Sequence, residues 1–320
     1  FRDGSAMRFI WDFIRFVIYL CLLLLLGSGL YAGNTAYNQL FSAPWDKILG
    51  MENHRDDLDQ VHRAEARYGW EQVVITSKDG TKLRGTYIEN DPQSHRAVIL
   101  LHGLFQNRTM CLGYASIYRN LGYNVLMPDL RGHGESDGTH TDWGVHDIED
   151  MDGWVAFLRS RDPQVQIGFH GISLGAGMSL LYAASPQGHE MKFYVADSSY
   201  GNLLELGKEK LYKYTEDDHY VLGMDALNPF FQLALYYHTH KWMSDLDPLS
   251  QVAHMDTPVL FLHGSADTLI PPDIAQKLAD QCTSKDKQLV LFQGVAHAME
   301  MPEDPEAYTR AVQQFVQRVE

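Results

Sequence analysis

The chain has 320 residues, 45% of them apolar, enough for one large α/β domain with additions or for two small domains. Its 26 lysines and arginines against 41 aspartates and glutamates give a net charge of −15, which argues against a nucleic-acid binder, since that would need a basic face, and against docking on anionic lipid by charge alone. The three cysteines, Cys21, Cys111 and Cys282, have neither the number of a disulfide framework nor the spacing of a zinc site.

From Phe16 to Trp45 the sequence carries no charge, and its core, "FVIYLCLLLLLGSGLYAG", is long enough to cross a bilayer as a helix. A cleaved signal peptide is the rival reading. No small-residue cleavage site follows Leu26, and Leu20 before Cys21 is too bulky for a lipoprotein site, so residues 1–45 are read as a tail and uncleaved anchor. Arg2, Arg8 and Arg15 precede the run and only Lys47 follows it closely. The positive-inside rule then puts the N-terminus in the cytoplasm and the bulk of the chain outside. The residues before Met7 read as an appended leader, and the arginine bias survives without Arg2. Residues 46–70, charged and mixed, form a juxtamembrane helix or linker.

Runs of strand length follow, and the region 71–320 reads as one domain. "EQVVITS" and "KLRGTYIE" flank Asp79-Gly80, a hairpin signal. "AVILL" (97–101), "NVLMP" (124–128), "VQIGF" (165–169), "FYVAD" (193–197), "VLFLH" (259–263) and "LVLFQ" (289–293) are mostly continuously apolar, as strands covered on both faces must be. Between them apolar residues recur at helical steps, as at Val145, Ile148, Met151, Val155 and Leu158. This alternation predicts an α/β fold with a doubly wound, mostly parallel sheet. The interval of about 200–256 has no strand and many aromatics, among them Tyr212, Tyr220, Phe230, Phe231 and Trp242, and reads as a helical cap over the carboxyl ends of the strands.

The segment "GFHGISLGAG" (168–177) holds a G-x-S-x-G, Gly171 to Gly175, directly after a strand and before a helical run. That context makes Ser173 a nucleophile, because a serine on so tight a turn needs small neighbours. A serine nucleophile needs a base, and the base an orienting acid. Asp267 follows the strand 259–263 and His297 follows the strand 289–293, both at the sheet edge that carries Ser173. Asp197 is the rival acid. The backbone N–H groups of Leu104, in "LLHGLF", and of Leu174 are the expected oxyanion donors. Phe105, Tyr200 and Phe230 are the expected pocket residues. His102 and His133 read as turn residues. His238 and His240 lack a third ligand, so no metal is expected. Asn107-Arg108-Thr109 spells a glycosylation sequon, discounted because it adjoins the oxyanion loop.

With "HG" at 102–103, "PDLRGHGES" at 128–136, "GISLG" at 171–175, "HGSAD" at 263–267 and the late His297 in this order, residues 70–320 resemble the α/β-hydrolase superfamily. Within it the chain looks most like membrane-anchored bacterial hydrolases grouped with serine aminopeptidases and monoacylglycerol lipases. The resemblance implies serine hydrolysis of a small ester or amide, with no cofactor. Esters of short to medium acyl chains are the first reading. Two alternatives stand beside it. One is an aminopeptidase on small peptides, with Glu205, Glu209, Glu216, Asp217 and Asp218 gripping a free amino terminus; the other is a ligand-binding protein with vestigial hydrolysis. Deletion up to about Phe41 is expected to leave soluble, active protein.

Overall fold

The computed structural model describes residues 3–320, so Arg2 lies outside the described residues. The strands are β1 (Glu71–Thr76), β2 (Lys82–Ile88), β3 (Arg96–Leu101), β4 (Asn124–Pro128), β5 (Gln166–Ile172), β6 (Phe193–Asp197), β7 (Val259–Gly264) and β8 (Lys287–Phe292). They form one eight-stranded sheet in the order β1-β2-β4-β3-β5-β6-β7-β8. The first two pairings, β1 with β2 and β2 with β4, are antiparallel, and the rest are parallel. The β1–β2 hairpin turns at Gly80, whose φ of 89° favours a residue without a side chain.

The helices are α1 (Asp3–Ser42), α2 (Trp45–Leu49), α3 (Asp59–Tyr68), α4 (Leu112–Asn120), α5 (Asp147–Arg161), α6 (Leu174–Ala183), α7 (Leu203–Thr215), α8 (Asp218–Thr239), α9 (Pro248–Gln251), α10 (Asp273–Gln281), α11 (Glu300–Glu303) and α12 (Pro305–Val319). Both faces of the sheet are covered. On one, Met151, Trp154 and Leu158 of α5, the apolar side chains of α6, a helix buried along its whole length, and Leu278 of α10 pack on residues such as Ile99, Phe169 and Phe261. On the other, Tyr114, Ile117 and Tyr118 of α4 and Tyr308, Val312 and Phe315 of α12 pack on Val98, Val125 and Leu260. This two-sided burial is why the parallel strands read as unbroken apolar runs.

Register aligns the strand ends that matter. Leu101 pairs with Gly171, Ile172 with Asp197, Asp197 with Leu262, and Gly264 with Phe292. The loops leaving β3, β5, β7 and β8 therefore emerge along one edge. Between β6 and β7 stand α7, α8 and the short α9, a helical insertion over that edge. One helix among the described residues, Met7–Ser42, is long and apolar enough to cross a membrane, with a mean hydropathy of 2.3. It continues past the apolar stretch and packs against α8. Gly29 and Gly33 lie against Phe230, where an added Cβ would come within 2.4 Å.

The segment after α1 is tied down as well. Glu65 of α3 is buried and accepts from Thr86 and from Arg108, which also pairs with Asp129 and Glu135. The buried guanidinium is compensated on three sides, without which burial would be prohibitive.

Candidate active site

Ser173 sits between β5 and α6 with φ 53° and ψ −111°, a backbone region strained for any residue with a side chain. A Cβ on Gly171 would lie 2.1 Å from the Gly175 carbonyl oxygen, and one on Gly175 would lie 2.3 Å from that of Leu101. The G-x-S-x-G pattern is thus a packing requirement: both glycines are needed for β5, α6 and β3 to meet. The Asp197 carbonyl accepts from the Ser173 amide at 2.8 Å and pins the turn.

The last loops supply the partners. The Ser173 hydroxyl donates to His297 Nε2 at 2.8 Å, and His297 Nδ1–H donates to Asp267 Oδ2 at 2.6 Å, the tautomer following from the carboxylate partner. Asp267 Oδ1 accepts from the amides of Leu269 at 2.9 Å and Ile270 at 2.8 Å. Burial alone would raise the Asp267 pKa. The hydrogen bonds from His263 and His297 outweigh it and hold the carboxyl well below the usual range. The Asp267 and His297 loops are stitched together by Ser265 N–H to the Phe292 carbonyl at 2.8 Å and Ala266 N–H to that of Val295 at 2.9 Å.

His263 is a site residue that sequence reasoning did not single out. Fully buried at the end of β7, it places Nε2 3.1 Å from Asp267 Oδ2 and 2.9 Å from the Ile270 carbonyl. Burial lowers its pKa, but these bonds and the Asp267 charge leave it raised. The signal was available, since this histidine stands four residues before the aspartate in "HGSAD".

Asp197, the rival acid, makes no hydrogen bond to His297. It accepts from the Tyr308 hydroxyl at 2.7 Å and the Ser198 hydroxyl at 3.0 Å. Burial and the nearby Glu300 push its pKa well above the ordinary carboxyl value.

Leu104 follows β3, and Leu174 follows Ser173. Among the described residues neither amide has an intramolecular hydrogen-bond partner, while their neighbours do: the Phe105 amide donates to His133 Nε2 at 3.3 Å and the Gly175 amide to the His102 carbonyl at 3.1 Å. Both leucines border the same cavity as Ser173. His102 and His133 are buried and brace these turns, and burial lowers both pKa values. Asn107 of the sequon is also buried, its amide donating to the carbonyls of His54 at 2.9 Å and Asp57 at 3.0 Å.

The cavity has a volume of about 680 Å³. Tyr200 borders it. Phe230 does not, because α8 turns the adjacent Phe231 inward and points Phe230 at α1. Phe105 does not either. With φ 56°, its ring lies under the Arg55 guanidinium at 5.4 Å and borders a smaller cavity of about 370 Å³. Ala36, Gln39 and Leu40 of α1 and Trp45 and Ile48 of α2 border the main cavity. The expectation that the chain up to Phe41 is dispensable therefore needs correction, since part of the wall would go with it. His238 is engaged with α1, stacking on Tyr37 at 4.6 Å with Nε2 2.8 Å from Asn34 Oδ1.

The mostly parallel eight-stranded sheet, wound on both faces and carrying its strained serine at the β5–α6 turn, is that of an α/β hydrolase. More particularly, the chain belongs to the prolyl oligopeptidase family, whose profile matches residues 112–319. It is similar to the uncharacterized protein YqkD of Bacillus subtilis, 28% identical over 244 residues, covering 76% of this chain and 78% of that protein. It is similar as well to the lysophosphatidylserine lipase ABHD12 of Danio rerio, 26% identical over 197 residues, covering 61% of this chain and 49% of that protein. Among solved structures it resembles the Pyrococcus furiosus esterase Pf2001, with a TM-score of 0.62 and 25% identity over 78% of this chain and 92% of that one.

Proposed function

We propose that the chain is a membrane-tethered serine esterase that cleaves carboxylic esters of short to medium acyl chains. Ser173 Oγ attacks the ester carbonyl while His297 takes its proton. The tetrahedral oxyanion is held by the Leu104 and Leu174 N–H groups, each such donor contributing on the order of 3 kcal/mol. The intermediate collapses, the ester C–O bond breaks, and His297 returns the proton to the departing alcohol. A water deprotonated by His297 then attacks the acyl-enzyme, releasing the carboxylic acid and restoring Ser173. Asp267 fixes the imidazole tautomer and stabilises the imidazolium. The arginines at 8 and 15 support a cytoplasmic N-terminus with the catalytic part on the other side of the membrane.

The observation that carries this reading is the lining of the cavity at Ser173. Among the described residues no aspartate, glutamate, lysine or arginine borders it, and Leu203, Leu211, Met224, Leu227 and Phe231 do. An apolar cavity of this size suits one acyl chain. The family name and the acidic cap residues raise the aminopeptidase alternative. Three of the five cap acids are engaged elsewhere, Glu205 with Lys208 at 2.6 Å, Glu209 with Lys213 at 2.7 Å and Asp217 with His219 at 2.7 Å, and Glu216 and Asp218 do not border the cavity. A free amino terminus in the cavity would meet no carboxylate.

The test is a panel of nitrophenyl esters of increasing chain length run beside aminoacyl nitroanilides, with Ser173→Ala as control. Multiple turnovers on the esters, lost in the control and exceeding every nitroanilide, are expected. Faster nitroanilide cleavage would favour the peptidase, and a single turnover the binding protein.

A further inference from the structure

The main cavity takes part of its wall from the membrane helix. Ala36, Gln39 and Leu40 belong to the last turns of α1, whose exposed apolar residues run from Met7 to Leu30. No loose tether separates the two parts. Gly29 and Gly33 are seated on Phe230, and Tyr37 is stacked on His238. The Leu40 carbonyl accepts the indole N–H of Trp45 at 2.8 Å and of Trp143 at 2.9 Å. From Leu30 to Ala36 is about 9 Å at about 1.5 Å per residue, comparable with the depth of a headgroup layer.

The bordering residues that are exposed rather than half-buried or buried are Gln39 and Pro44 on the α1 side and Tyr214, His219 and Tyr220 at the α7–α8 corner. They mark a mouth between the end of α1 and that corner. Tyr214 and Tyr220 are 54% and 55% exposed, and Leu222, one turn into α8, is 64% exposed. Exposed tyrosines beside an apolar membrane helix are the composition of a membrane–water interface.

We propose that α1 is part of the substrate site, not only an anchor: its last turns wall the acyl cavity, and the mouth they flank lies on the lipid surface in which the helix is held. The substrate is then a single-chain ester amphiphile resident in the bilayer. This rests on the esterase reading above and goes beyond it by assigning the wall, the mouth and the source of the substrate.

Two measurements on the full chain in phosphatidylcholine vesicles test it. In the first, the ratio of kcat/KM for nitrophenyl decanoate to that for nitrophenyl acetate is compared between wild type and Ala36→Phe. The added ring fills the wall, so the ratio falls about tenfold, a normal effect of a blocked apolar subsite. Leu23→Ala, in the exposed apolar stretch, leaves the ratio as in wild type. Fluorophosphonate labelling of Ser173 reports folding, and if Ala36→Phe fails to label, Ala36→Leu takes its place. In the second, Tyr220→benzoylphenylalanine is irradiated, and phospholipid adducts on that residue are expected. An unchanged ratio in a labelled variant, or adducts with no lipid component, would overturn the proposal. Failure of the esterase reading looks different, since wild type would then turn over neither ester.

Discussion

His263 Nε2 and His297 Nδ1 converge on one oxygen, Oδ2 of Asp267, at 3.1 Å and 2.6 Å. Two histidines therefore keep the buried carboxylate ionised, and only His297 reaches Ser173. Replacing His263 with Phe removes a donor to a charged acceptor, an interaction worth about 1.5–3 kcal/mol. Turnover is expected to drop roughly ten- to a hundredfold with the fold retained, measured as kcat beside a melting curve. The pH dependence has a definite sign. The His263 pKa is raised in the folded chain, so its contribution is complete below the unfolded value of about 6.5 and fades as pH rises through the folded one. The melting-temperature gap between wild type and His263→Phe should be widest below about pH 6 and narrow on the alkaline side.

Asp267→Asn and Asp197→Asn test the proposed assignment of Asp267 as the orienting acid and of Asp197 as a buried prop. The first should lower kcat by about 10⁴ without unfolding the chain, as loss of the tautomer-fixing carboxylate does. The second removes a carboxyl whose pKa burial and the nearby Glu300 raise in the fold above that of the unfolded chain. Wild type loses stability from that group as pH rises above about 4, and the Asn variant does not, so the stability of Asp197→Asn relative to wild type should grow with pH. A kcat loss larger for Asp197→Asn than for Asp267→Asn would reverse the assignment.

The two adjacent phenylalanines of α8 should behave differently. Phe231→Ala enlarges the cavity and should move the preferred acyl chain to greater length. Phe230→Ala loosens the seat of Gly29 and Gly33 and should lower thermal stability, with the chain-length optimum unmoved. A chain-length profile and a melting curve for each variant decide the point.

The helix–strand alternation is legible because parallel strands covered on both faces must be apolar throughout, and the Ser173 turn is legible because Gly171 and Gly175 have no room for a Cβ. The cap is legible only as helical and aromatic. Which of Phe230 and Phe231 faces inward depends on the rotation of α8 against α1, and a helix with aromatics on several faces does not encode it. The end of α1 is hidden for a related reason. Gly29, Gly33 and Ala36 look like ordinary membrane-helix residues, and their use as a seat and a wall depends on a partner nearly two hundred residues away. Phe105 misled because adjacency to Leu104 in sequence says nothing about side-chain direction where φ is positive.

Truncation and protease access test the N-terminal segment. Removal of residues 1–27 leaves the Gly29–Phe230 seat, whereas removal of residues 1–41 strips the Leu40 carbonyl from two indole N–H groups, at a cost of about 1–3 kcal/mol for each left unsatisfied. The shorter deletion should remain active in detergent and the longer one should melt earlier and lose activity. In intact cells, protease added outside should digest the catalytic part of the full chain; protection until lysis would reverse the proposed orientation.

The most direct test of the esterase account is to trap its intermediate. Wild-type protein mixed rapidly with nitrophenyl octanoate, quenched in acid and digested, should yield an octanoyl increment on the peptide that contains Ser173. The increment should form at least as fast as the enzyme turns over and be absent in Ser173→Ala. Ester turnover that survives Ser173→Ala, or an acyl group found on a different residue, would contradict it.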